Sequence, residues 1–226
     1  MRAILLVFFV LLTALGFCSP VRSSLGAERN SGGEALPFDS EVEWLEIDNS
    51  KKQYIDTGIE ASDSVDFCLW FSQEGFSSYY IPLFGSNVDG AYLSVYRNSG
   101  NMPSEVFARY GNSTSFFIGN KGYQGIIEKY NGVFSFNGDS IEVQSSPFSS
   151  SETLWLGHVN GISFMIGNKK KIGFCKIWKE GLLVRDYIPI KFTNELGESE
   201  GGMYDKVSKI IFRNMGTGSF VIGPEV

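Results

Sequence analysis

Histidine is almost missing from this chain. Of 226 residues only His158 is a histidine. A zinc centre built on several imidazoles is therefore excluded. A Ser-His-Asp hydrolase would have to use His158, which sits in LWLGHVNG at the expected end of a strand, and the chain contains no nucleophile-elbow motif. The residue reads as a surface or rim histidine. Cysteine is nearly as scarce, with only Cys18, Cys68 and Cys175. No C-x-x-C pair occurs, so ribbon-type metal sites and dithiol redox motifs are excluded. Charge is sparse as well, at 19 % of residues with a net charge of −6 and no long basic run. That balance speaks against nucleic acid and against an anionic membrane surface as partner. No segment sustains an apolar period of 3.6 residues, which leaves helices without support.

Apolar and aromatic residues are plentiful. Hydrophobic residues make up 43 % of the chain and aromatics 15 %, with 19 Phe, 10 Tyr and 26 Gly. This composition suits strands joined by tight turns. The N-terminus begins with Met1-Arg2 and continues as AILLVFFVLLTALGFC, closed by Ser19-Pro20. The run falls short of the ~20 apolar residues of a bilayer span and suits a secretory signal. Leu25-Gly26-Ala27 offers a cleavage site. The alternatives are an uncleaved anchor and a lipid-modified Cys18, although Phe17 stands where a small residue is expected. The expected organisation is a signal peptide over residues 1–27, a polar linker over 28–40 (ERNSGGEALPFDS) and one domain over 41–226. The membrane is then met only through the cleaved segment, and the protein is secreted or held at the cell envelope. After export Cys68 and Cys175 remain. A disulfide between them would close a loop worth roughly 4–5 kcal/mol in the chain-entropy description. Both also lie in apolar runs, DFCLWF and GFCKIW, where a buried free thiol is the favoured reading and the disulfide the alternative.

From Val42 onward strands alternate with turns. In SVDFCLWFS both alternating sets are largely apolar, which predicts a strand buried on both faces. YYIPLFGSNVDGAYLSVYRNSG reads as two strands joined at Asn87-Val88-Asp89-Gly90. GVFSFNGDSIEVQ is a hairpin turning at Asn137-Gly138. IGFCKIWKEGLLVRDYIPI is a second hairpin turning at Glu180-Gly181, and ETLWLGHVNG adds another strand. Short strands with turns every 8 to 12 residues or so predict an all-β antiparallel β-sandwich.

Four segments, in order, resemble one family. VEWLEIDNSKKQYIDTGI is similar to the opening strand pair of concanavalin-like, laminin-G-like jelly-roll domains of bacterial secreted and phage structural proteins. IPLFG resembles its next marker and FCKIWKEGLLVRDYIPI its late hairpin. GGMYDKVSKIIFRNMGTGSFVIGPEV resembles its closing segment. Together they cover roughly residues 42–226. Local chemistry gives these motifs structural roles. Gly58 permits a turn that Asp56 and Thr57 can hydrogen-bond. Arg185 and Asp186 point to opposite faces and need separate cross-strand partners. Pro189 predicts a sheet edge or bulge, and Gly216 and Gly218 supply special backbone angles.

The acid-rich stretch EVEWLE raises a hydrolase reading, because a retaining glycosidase needs two carboxyls only ~5–5.5 Å apart. A bulge near Trp44-Leu45 would put Glu41, Glu43 and Glu46 on one outer face. The stretch stands at the start of the domain, however, and the resemblance implies a plain opening strand there. The expectation is a binding module without catalysis, recognising a glycan or a cell-surface protein. The alternatives are a structural or protein-interaction domain of an envelope assembly and, less favoured, a glycoside hydrolase. Stacking rings for a sugar are Tyr79, Tyr80, Tyr96, Tyr110 and Trp155. The fold implied by the resemblance often holds Ca²⁺ at a loop rim, and Asp63, Asp89, Asn112 and Asp139 are turn oxygens of the right type. Asn112-Ser113-Thr114 is a glycosylation sequon.

Overall fold

The computed structural model describes residues 36–73, 80–88, 91–98, 105–112, 116–119, 122–144, 146–163 and 169–226. One compact unit spans Leu36–Val226. Its described residues form two antiparallel sheets, with strands numbered in chain order. The first runs β11 (Asp139–Glu142), β10 (Val133–Phe136), β9 (Gln124–Tyr130), β4 (Val65–Ser72), β13 (Lys169–Lys179), β14 (Leu182–Thr193), β15 (Ser199–Asp205) and β16 (Ile210–Phe212). The second runs β3 (Ile55–Ser62), β12 (Ser149–Leu156), β5 (Tyr80–Val88), β6 (Ala91–Asn98), β7 (Val106–Gly111) and β8 (Phe116–Gly119). The two pack face to face as an all-β sandwich. Phe67 of β4 meets Phe84 of β5 with ring centroids 4.7 Å apart, and both are fully buried. Side chains of this size each stabilise by roughly 1.5–3 kcal/mol on burial.

The turns fall where their chemistry places them. Asn137-Gly138 links β10 to β11 with φ of 47° and 92°, and Glu180-Gly181 links β13 to β14 with φ of 54° and 76°. Two consecutive residues with positive φ match the right-handed twist of the flanking strands. β4 is buried on both faces apart from Trp70.

EVEWLE does not form one strand. β13 and β14 pair from Lys179↔Leu182 to Cys175↔Tyr187 and then part. Two short strands enter this fork: β1 (Ser40–Glu41) pairs with β14, and β2 (Leu45–Asp48) pairs with β13. β17 (Val221–Ile222) then pairs with β2. Val42, Leu45 and Ile47 are each 1 % exposed, so the break between the strands lets all three reach the core.

The fork also corrects the reading of Pro189. The residue is at neither an edge nor a bulge but inside β14, opposite Met203 of β15, and its carbonyl accepts from the Val42 N–H. It lies where β13 has left and β1 takes over. Gly58 makes no turn either. It adopts φ of 67° inside β3, where the register against β12 shifts, and the Asp56 carboxylate accepts its N–H at 2.9 Å. Gly218 has φ of 67°, whereas Gly216 is needed for space, since a Cβ there would lie 1.9 Å from the Lys52 carbonyl oxygen. Arg185 and Asp186 do find separate partners: Arg185 Nε donates to the Thr57 carbonyl at 3.1 Å, and Asp186 faces Lys176 at 4.0 Å.

Candidate functional site

Three turns, one between the sheets and two within the first, meet at one end of the sandwich. Asp63-Ser64 joins β3 to β4, Asn131-Gly132 joins β9 to β10, and Glu180-Gly181 joins β13 to β14. Asn131 and Gly132 hold φ of 48° and 78°, a conformation open to Asn and Gly. With Glu142, Val143 and Gln144 after β11, these turns enclose a pocket of about 580 Å³. A neighbouring pocket of about 370 Å³ shares Asp63, Ser64 and Glu180 and adds Ser62, Ser149 and Ser150.

The floor is held by a buried cation. Lys129 is 1 % exposed. Its Nζ donates to the Val65 carbonyl at 2.6 Å, to Asp66 Oδ1 at 2.7 Å and to the Asp63 carbonyl at 3.2 Å. An ammonium has three N–H donors, and all three are used. Burial lowers the Lys129 pKa, and the Asp66 carboxylate opposes that shift. Tyr110 closes the floor from β7, its hydroxyl donating to the Asp63 carbonyl at 3.1 Å. Burial, followed by Asp63 and Asp66, pushes the Tyr110 phenol up to about 12. At the rim the Tyr130 side chain is 43 % exposed.

Of the residues singled out in the sequence, Tyr110 and Asp63 come together in this pocket. Tyr110 is floor and not platform, for its ring packs edge-on against Phe134 and Phe148 and is 5 % exposed. Trp155 lies on the outer face of the second sheet, stacked on Tyr54 at 3.9 Å. Tyr96 is 8 % exposed. Tyr96 therefore offers no open stacking face, whereas Trp155 stays partly exposed, away from the pocket. Tyr80 stands opposite Asn98 in the β5–β6 pair. Tyr79 and Asp89 lie outside the described residues. The loop oxygens do not converge: Asn112 sits in the turn after β7, and Asp139 begins β11 whereas Glu142, which reaches the pocket, ends it. A four-residue strand separates its ends by about 10 Å. Among the described residues no three of His, Cys, Asp or Glu are placed to share a cation.

Two further expectations are corrected. Cys175 is a free, buried thiol. The β4–β13 register pairs Cys175 with Leu69 and Lys176 with Cys68, so Cys68 and Cys175 occupy opposite faces of the sheet and cannot bridge. His158 is not at the rim but fully buried. Its Nδ1 donates to the Val159 carbonyl at 2.9 Å. Burial and the nearby Lys170 lower its pKa to about 3. The acid trio is also dispersed. Glu46 pairs with Lys169 at 3.0 Å, and Glu41 lies in another strand, its pKa raised by burial against the pull of Lys206. Comparison with protein-family models, with curated proteins and with solved structures gives no match.

Residue reading alone missed Lys129, Asp66, Tyr130, Glu142 and Glu180. The signal for Glu180 was the Glu180-Gly181 turn, and for Tyr130 the Asn131-Gly132 pair that follows it. Nothing local to Asp66 or Glu142 marks them, because the opposite walls of the pocket come from segments distant in sequence.

Proposed function

We propose that this chain is an exported, non-catalytic binding module that holds a glycan at the loop end of its sandwich. The observation that carries the reading is the pocket of about 580 Å³, lined by carboxylates, amides and a tyrosine rim. Its volume lies within the roughly 300–1,000 Å³ of small-ligand sites. Side-chain acceptors and ring faces are the groups that bind sugar hydroxyls and C–H faces. The apolar N-terminal run supports export, and the laminin-G-like motifs support a binding role by analogy only. The test is a glycan array probed with the purified protein and with a Tyr130→Ala variant, in calcium and again in chelator. Saturable binding to one glycan class, weakened about tenfold in the variant, is expected, since losing one ring contact of about 1.4 kcal/mol is a factor of ten. A blank array in both conditions overturns the reading. It would favour a protein partner docking on the same end, where Leu182 and Leu183 are 71 % and 39 % exposed beside the Glu180-Gly181 turn.

A further inference from the structure

The pocket is one-sided in charge. Asp63, Asp66, Glu142 and Glu180 line it, and none of its described lining residues is Lys or Arg. The one cation beneath it, Lys129, has all its donors engaged by protein oxygens. It cannot greet an anionic ligand. In the adjoining pocket Lys179 already faces Glu60 at 3.9 Å.

Asp66 is placed differently from the other three acids. It is 7 % exposed, yet it lines the pocket. Both its hydrogen bonds fall on one oxygen: Oδ1 accepts from Lys129 Nζ at 2.7 Å and from the Asn131 N–H at 3.2 Å. No described residue donates to Oδ2. A carboxylate has about four lone-pair sites, so the Oδ2 edge, open to the pocket, keeps acceptor capacity for a ligand. Burial first, and then Asp63 and Asp66, disfavour ionisation of the Tyr110 phenol beside it. At the rim stands the partly exposed Tyr130, and aromatic rings attract cations.

We propose that the pocket sorts glycans by charge, taking hydroxyl- and amine-bearing sugars and rejecting carboxylated or sulfated ones, with Asp66 as the selecting group. This rests on the pocket being a glycan site. An acidic sugar would bring a like charge against Asp63, Glu142 and Glu180, and no described lining residue is a cation that could meet it. A protonated amine would find an acceptor already fixed in place by Lys129.

The test uses the full protein on an array that carries neutral, amine-bearing and acidic glycans, followed by titration with glucosamine oligomers and their N-acetylated counterparts. Hits confined to neutral and amine-bearing sugars are expected. The amine form should bind about tenfold tighter than the acetylated form, an advantage that shrinks at high salt as exposed charges are screened. Asp66→Asn should remove most of it. Because Asp66 also holds Lys129, Glu142→Gln, at an exposed position, provides a second variant with a smaller loss in the same direction. Binding to an acidic glycan, or equal affinity for the two oligomers, overturns the inference and leaves the glycan site standing. No binding to any sugar overturns both.

Discussion

Two lysines are buried in this sandwich, and their surroundings differ. Lys129 lies under the loop-end pocket and Lys170 lies between the sheets, each 1 % exposed. Lys129 has three oxygen acceptors, one of them a carboxylate. Lys170 has two, both neutral: Asn49 Oδ1 at 2.7 Å and the Pro82 carbonyl at 2.9 Å. It pairs with no described carboxylate. Two acceptors match the two N–H donors of a neutral amine and leave a third N–H of an ammonium unmet. Burial accordingly lowers the Lys170 pKa to about 7, opposed only by the attraction of Asp48. Burial thus works against both ammonium groups, and the number and charge of the acceptors decide how much of it is offset. The charged lysine fixes a site. The other staples β13 to β5 across the core.

The most disruptive change is Lys129→Met. It leaves the Asp66 carboxylate buried without its counter-ion, and breaking such a pair costs about 3–5 kcal/mol. Urea unfolding should show the midpoint falling accordingly. Lys129→Met combined with Asp66→Asn should recover part of the loss. If the double variant is no more stable than Lys129→Met, the two residues are not coupled in this way.

Lys170→Met should cost less, about 1–3 kcal/mol, because it leaves two neutral acceptors unpaired and strands no charge. Equal losses for the two methionine variants would show that both lysines are charged, which ends the contrast. The same unfolding experiment on both proteins decides it.

The pH dependence sharpens the contrast further. Lys170 has a folded pKa of about 7 against an ordinary 10.5. Between these values the unfolded chain binds more protons, so stability rises with pH and its contribution is lost as pH falls toward 7. The slope cannot exceed about 1.4 kcal/mol per pH unit for one group. His158, also buried and beside Lys170, has a folded pKa of about 3 against 6.5, so its contribution disappears over that lower window. Melting temperature followed from pH 7 upward should therefore climb in the native protein, and the climb should flatten in Lys170→Met. An identical climb in both places the titration elsewhere.

The local signals for the fold were strong. Asn137-Gly138 and Glu180-Gly181 encode their hairpins through backbone angles, and the two apolar faces of SVDFCLWFS mark a strand covered on both sides. The buried lysines were legible in principle as well. Strand parity puts Lys129 on the face of Ile127 and Lys170 on the face of Ile172, and both isoleucines are fully buried. A lysine's charge ordinarily argues for solvent, against what parity implies here. What acceptors would await them depends on Asp66, Asn49 and Pro82, distant in sequence. The pocket depends on two hairpin turns and one turn between the sheets, and no local pattern brings those together. The fork between β13 and β14 was hidden for the same reason, and with it the fate of EVEWLE.

The smallest expected effect on stability tests whether site and scaffold are separable. Tyr130 reaches solvent, unlike Tyr110 beneath it, so Tyr130→Ala removes little packing. Surface changes of this kind usually fall within about 0.5 kcal/mol. Tyr110→Phe keeps the ring but loses the bond to the Asp63 carbonyl, at a cost of about 1 kcal/mol. If the pocket is the glycan site, the two should separate cleanly. Tyr130→Ala should weaken glycan binding with an unchanged unfolding midpoint, whereas Tyr110→Phe should lower the midpoint, loosening the turn that Lys129 also holds. If Tyr130→Ala instead destabilises the fold and leaves binding intact, the rim is scaffold and the ligand must be sought on another face.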